Sequence, residues 1–147
     1  MRLTEHFSLA EFTRSQVAAR RGIDNTPNEH VFENLATLCE LILEPLRVDL
    51  GIPIRINSGF RCPELNSAIG GSRFSQHMTG NAGDIDVPGM EPIEVAQKII
   101  DLGLPFDQLI HEFQSWVHVS YDSDRDRRAV LTARLIDGRT QYVTGLI

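Results

Sequence analysis

Hydrophobic positions three and four residues apart mark the first third of the chain as helical. Five of them share one face of a predicted helix of about five turns: Val31, Leu35, Leu38, Ile42 and Leu46. Because Pro45 has no backbone N–H, we expect it to kink or end this helix. A later apolar pattern predicts another helix from about Pro92 to Leu102.

Two capping patterns predict where helices begin. Ser8 and Glu11 form a capping box, and Phe7 and Phe12 are spaced as its hydrophobic staple. The segment Thr26–Glu29 repeats the box, with a proline at the first helical position. We therefore expect a short helix after Ser8 and the start of the long helix at the second box.

Strand signals dominate the chain after residue 51: residues 52–56 alternate between apolar and polar, and segments 106–113 and 116–121 are rich in residues that favour strands. The predicted strands are 52–56, 84–87, 106–113, 116–121, 129–136 and 141–143. Turns at Gln114-Ser115 and Asp137-Gly138 join the last four as two hairpins. Residues 59–83 are rich in glycine and predict a long ordered loop. The sequence thus indicates an α+β fold, with N-terminal helices packed on a small, mostly antiparallel sheet.

Size and charge narrow the class of protein. The 147 residues are 41% apolar and fit one domain, assigned to residues 1–147. A net charge of −6 argues against a nucleic-acid partner, because phosphates require a basic face. No apolar run approaches the roughly 18 residues needed to span a membrane, so no membrane insertion is expected. The charged N-terminus shows no Sec signal, which predicts synthesis in the cytoplasm.

The two cysteines are expected to be structural. They form no disulfide framework, and Cys39 lies within the helical pattern, where a buried free thiol is expected. Cys62 follows an arginine in a predicted turn and has no metal-ligand spacing.

Three residues are candidate metal ligands. His77 and Asp84 flank a stretch of small residues that lets the chain fold back, and His118 lies in a predicted aromatic strand. Two imidazoles and one carboxylate, with a position left for water, suit a catalytic zinc ion. The spacing alone is generic, however, and favours ordinary polar loop residues for the first two and a hydrogen-bonded strand histidine for the third.

The exact residues around these positions carry a family resemblance. The segment 75–84 reads Ser-x-His-x-x-Gly-x-Ala-x-Asp, preceded by Ser58-Gly59-Phe60-Arg61 and followed by Trp116-Val117-His118-Val119-Ser120. These three motifs, in this order, resemble the D-Ala-D-Ala carboxypeptidase family of metallopeptidases over roughly residues 30–121. The resemblance implies that His77, Asp84 and His118 bind Zn²⁺. It also implies that Arg61 binds either a substrate carboxylate or the oxygen that gains negative charge in the transition state. Ser75 is implied to form a hydrogen bond with substrate or with its own loop.

The general base requires a separate assignment. Several family members have an acidic residue three positions before the last histidine, and Ser115 stands there in this chain. Glu112, six positions before it, matches a spacing in the related hedgehog-type zinc fold, and we interpret it as the base in preference to Asp86 or His111. Asp86 shares a strand face with Asp84 and either orients a ligand histidine or contacts substrate.

The resemblance implies a zinc-dependent peptidase acting on peptidoglycan stem or cross-link peptides. Within that family, a compact catalytic domain with no visible signal peptide or wall-binding module resembles a phage or prophage endolysin, made in the cytoplasm and acting at the bacterial cell wall after release. We expect a monomer. The alternative is a non-catalytic zinc-binding module or a phage structural component.

Overall fold

The computed structural model describes all 147 residues and contains one six-stranded sheet in the order β1-β2-β4-β3-β5-β6. The strands are β1 Arg55–Ser58, β2 Ala82–Asp86, β3 Gln108–Glu112, β4 Trp116–Ser120, β5 Ala129–Ile136 and β6 Arg139–Thr144. The helices are α1 Leu9–Thr13, α2 Gln16–Arg21, α3 Glu29–Leu38, α4 Glu44–Leu50, α5 Pro63–Ala68 and α6 Pro92–Asp101. A π-helical turn, Cys39–Leu43, joins α3 to α4, and a 3₁₀ helix spans Gln76–Thr79. The fold is α+β, as predicted.

The sheet is antiparallel except where β5 pairs in parallel with β3. Because side chains alternate along a strand, one face carries Leu109, Val117 and Val119, which join the helices in a single hydrophobic core. The other face carries the side chains of Asp84 and His118, which are directly paired across β2 and β4. The helices therefore support the sheet from behind and leave the polar face open.

The long helix runs further than its proline suggests. It begins at Glu29 with Asn28 as N-cap, so the predicted cap at Thr26 is wrong by two residues. Pro45 falls in the first turn of α4, directly after the π-helical turn. The wider turn accommodates the missing N–H, and the helix continues to Leu50.

Other expectations are confirmed or corrected locally. The capping box at Ser8 and the buried free thiol of Cys39 are confirmed, as are both hairpins. Helix α2 was not predicted, and β1 begins at Arg55 rather than at residue 52. The glycine-rich segment 59–83 is no plain loop, because it contains α5 and the 3₁₀ helix. No helix combines the length and apolar character needed to cross a membrane.

Candidate active site

Three polar side chains converge where the 3₁₀ helix meets β2 and β4. Oδ1 of Asp84 lies 3.3 Å from Nε2 of His77 and 3.1 Å from Nδ1 of His118. Both imidazoles are almost fully buried, and their ring centroids are 5.1 Å apart. Burial opposes ionisation of Asp84, but the two histidines outweigh it and hold the pKa of this carboxyl well below its usual range.

Hydrogen bonds outside the cluster fix the orientation of His77. Its Nδ1 lies 2.7 Å from the carbonyl oxygen of Gly59, which can only accept, so Nδ1 carries the proton. Nε2, which lies beside Asp84, is thereby left as the ring nitrogen that a metal ion would bind. Ser75 caps the 3₁₀ helix by accepting from the backbone N–H of His77, and its hydroxyl also receives a bond from Arg61. A metal-binding histidine typically donates its other ring N–H to an acceptor in this way, which fixes the orientation of the ring.

The three ligand atoms are spaced as a tetrahedral metal ion needs them. Bonds of about 2.1 Å at the tetrahedral angle place ligand atoms roughly 3.4 Å apart, close to the two distances to Asp84 Oδ1. All three atoms lie within 4.8 Å of one another. The residues thus form a group able to hold a divalent ion, and the nitrogen and oxygen donors suit zinc.

Glu112 and Arg61 flank this group. Oε1 of Glu112 lies 3.9 Å from Nδ1 of His118. Burial and the nearby charge of Asp84 raise the pKa of Glu112 to about 7, partly opposed by His118 and Arg61. Burial lowers the pKa of Arg61, while Asp84 and Glu112 oppose that shift. A proton acceptor and a cation therefore stand on either side of the candidate metal site.

The hairpin that carries Glu112 turns one residue earlier than predicted. Phe113 and Gln114 have φ of 54° and 56°, and the N–H of Ser115 donates to the carbonyl of Glu112, as in a type I′ turn. Glu112 is consequently paired with Trp116, rather than with Val117 or His118 as expected. The carboxylate still reaches His118 along the diagonal.

A cavity of about 630 Å³ opens over the cluster and is lined by Arg61, Ser75, Glu112 and Trp116 among others. Asp86 does not line it and instead pairs with Arg55 of the edge strand β1 at 3.4 Å. Its role in substrate binding stays a prediction.

His111 is buried on the core side of β3, outside the cavity. Its side chain therefore lies on the opposite face of the sheet from the cluster, and His111 cannot replace Glu112 as the general base.

Sequence reasoning missed a buried anchor beneath the site. Asp107 is fully buried and accepts hydrogen bonds from Gln76 (2.8 Å) and from the backbone and guanidinium of Arg127 (2.7–3.0 Å). Gln76 directly precedes His77, so this carboxylate ties the 3₁₀ helix to β3 and to the loop before β5. Arg127 lies twenty residues from Asp107, and no local spacing signals such a pair.

Two convergent histidines and an aspartate, with a carboxylate and an arginine beside them in an open cleft, are the kinds of side chain that a metal-dependent hydrolase uses. Residues 5–120 match the family model described as Peptidase M15. The chain therefore belongs to the peptidase M15 family and is a metallopeptidase. No curated protein matches it. The match covers every residue of the cluster and ends before β5.

Proposed function

We propose that the protein is a zinc-dependent peptidase that hydrolyses peptidoglycan stem or cross-link peptides, with residues 1–147 forming a single catalytic domain. The observation that carries the proposal is the convergence of His77, Asp84 and His118 within one cavity that also holds Glu112 and Arg61. Membership of the peptidase M15 family supports the reaction class. Action at the bacterial cell wall, as by an endolysin, follows from the proposed substrate.

The proposed ligands are Nε2 of His77, Oδ1 of Asp84 and Nδ1 of His118. These three atoms would hold a zinc ion, which would supply Lewis acidity for the scissile carbonyl and for water. Glu112 takes the proton from the attacking water and delivers it to the amine that leaves. In the metal-free protein, burial and Asp84 raise the pKa of Glu112 to about 7, and the charge of a bound zinc ion would lower it and favour the carboxylate that accepts the proton.

Arg61 stabilises negative charge on the substrate. Its guanidinium donates to Ser75 at 3.3 Å and lines the cavity, where its other N–H groups can meet a substrate oxygen. Ser75 accepts from both Arg61 and the backbone of His77, which couples the position of the cation to that of the first ligand. We therefore assign Ser75 to loop organisation as well as to contact with substrate.

The first test measures metal content and peptide hydrolysis together. We expect about one zinc per chain by mass spectrometry, lost in His77→Ala and retained in His30→Ala, an exposed histidine outside the site. The parent should release amines from purified peptidoglycan. Zinc retention by His77→Ala would contradict the ligand assignment.

The second test separates catalysis from binding. Glu112→Gln should keep its zinc and lose hydrolysis by about 10²–10⁴-fold, whereas Glu33→Gln, an exposed carboxylate, should retain it. Bound zinc without hydrolysis by the parent would indicate instead the non-catalytic module. Full activity of Glu112→Gln would remove Glu112 as the base.

A further inference from the structure

Two exposed aromatic rings line the candidate cleft. Phe74 is 78% exposed and Tyr142 is 59% exposed, and these are the only aromatics among the large exposed hydrophobic side chains. Both line the cavity over the metal-ligand cluster. Exposed aromatic surface is costly to leave in water unless something covers it, and here both rings face one cavity. Their shared position indicates a ligand rather than chance exposure.

The register of the sheet shows how Tyr142 comes to the site. Glu112 pairs with Ala133 of β5, and Ala133 pairs with Tyr142 of β6. Paired residues point to the same face, so Tyr142 lies on the face that carries the cluster. Along the next row, His118 pairs with Ile110, which pairs with Leu131, another residue of the cavity. The floor of the cleft thus changes from polar to apolar toward β6.

Phe74 approaches from the loop that carries the metal ligands. It directly precedes Ser75, the cap of the 3₁₀ helix, and the guanidinium of Arg73 lies 5.6 Å from its ring centroid. That contact favours one orientation of an otherwise exposed ring. The two aromatics therefore come from separate segments, one within the family match and the other beyond it.

We propose that Phe74 and Tyr142 form an aromatic clamp that binds an extended peptide across strands β4, β3, β5 and β6, with its aliphatic side chains against Leu131 and Tyr142. Three strand spacings separate β4 from β6, about 14 Å. That distance is the length of about four residues of extended peptide. The clamp rests on the proposed peptidase function and adds a substrate class: peptides of about four residues or more rather than dipeptides.

Binding can be measured apart from hydrolysis. Trp116 is the single tryptophan and lines the same cavity, so its fluorescence reports ligand entry. The probe is a soluble pentapeptide stem from peptidoglycan, titrated into the Glu112→Gln protein. We expect Phe74→Ala and Tyr142→Ala each to raise Kd about tenfold, the effect of losing one good apolar contact. Leu135→Ala is the matched control, since Leu135 is 65% exposed on the same hairpin but does not line the cavity.

Kinetics of the active enzyme complete the test. Tyr142→Ala should raise KM for the pentapeptide with kcat nearly unchanged, and a truncated peptide that keeps the cleaved bond should not distinguish this variant from the parent. Unchanged Kd and KM in both alanine variants, at unchanged melting temperature, would overturn the clamp. A fall in kcat alone would also overturn it. A parent that binds the pentapeptide at the clamp but hydrolyses nothing would instead refute the peptidase proposal.

Discussion

Asp107 is expected to hold the 3₁₀ helix that carries His77 in place, and Asp107→Asn tests this with almost no change in volume. One carboxylate oxygen accepts from the backbone N–H and Nε of Arg127, and the other accepts from Arg127 Nη2 and from Gln76. An asparagine keeps one oxygen and presents an NH₂ group in place of the other. In either orientation this group faces two donors, so two hydrogen bonds are lost.

The expected loss in free energy of unfolding follows from the number of hydrogen bonds lost and from the burial of Asp107. A hydrogen bond to a charged group contributes about 1.5–3 kcal/mol, so two lost bonds amount to roughly 3–6 kcal/mol. The Arg127 side chain is 38% exposed and regains water, which brings the loss in free energy of unfolding toward the lower end, about 3 kcal/mol. For a chain of this length, Tm should fall by roughly 6–12 °C.

Thermal unfolding at neutral pH measures this effect, with Asp101→Asn as control. Asp101 also accepts from a glutamine side chain, at 2.9 Å, but it is exposed, so its replacement should change stability by less than about 0.5 kcal/mol. A Tm for Asp107→Asn equal to that of the control would refute the anchoring role.

The pH dependence gives a second check on Asp107. Burial opposes ionisation, but the bonds from Arg127 and Gln76 outweigh it and lower the pKa of Asp107 in the folded state. The stabilisation is therefore present above the unfolded pKa, about 3.9, and is lost as the pH falls through the lower folded value. Accordingly, the difference in free energy of unfolding between Asp107→Asn and the parent should disappear in strong acid.

Three further predictions concern the site and its surroundings. In the chelated apoprotein, the pKa of Glu112 is raised from 4.5 to about 7, so stability is lost as the pH rises through that value. Glu112→Gln should therefore be more stable than the parent above pH 7, by up to roughly 3 kcal/mol in urea unfolding; equal curves would contradict this. Burial raises the pKa of the Cys39 thiol, and nearby carboxylates add a smaller contribution. A thiol reagent should therefore modify only half-buried Cys62 in the native protein, and both cysteines after denaturation. Gly59→Ala should lower stability by about 1–3 kcal/mol, because the new Cβ would lie 2.6 Å from the Phe12 backbone. It should also weaken zinc affinity, because the Gly59 carbonyl accepts from His77, a proposed ligand. Unchanged zinc affinity and Tm would refute the close contact.

Local patterns in the sequence predicted most of the secondary structure because their determinants are local. The capping box at Ser8 and both hairpins depend on neighbours within a few residues, and each is present. The long helix shows where this approach ends. Pro45 reads as a helix breaker, yet the π-helical turn before it, stabilised by the core around Ile42, carries the helix past it.

Residues of the candidate site could be predicted only where they lie within one of the three sequence motifs or at a fixed spacing from one. His77, Asp84 and His118 come from segments that the motifs mark, and the structure brings them together, while their zinc-binding role stays a proposal. The partners of Asp107 and the approach of Tyr142 depend on sheet order and on the parallel pairing of β5 with β3. Neither follows from the local sequence.

The placement of β6 at the edge of the sheet has a consequence for protein engineering. Three strand spacings, about 14 Å, separate its side chains from those of β4. Substitutions this far apart generally combine additively. A library that varies the β6 positions on the face that carries the cluster, Thr140, Tyr142 and Thr144, can thus be screened with the candidate site intact. Gains in stability found there should add to those of β4 substitutions that share no partner with them.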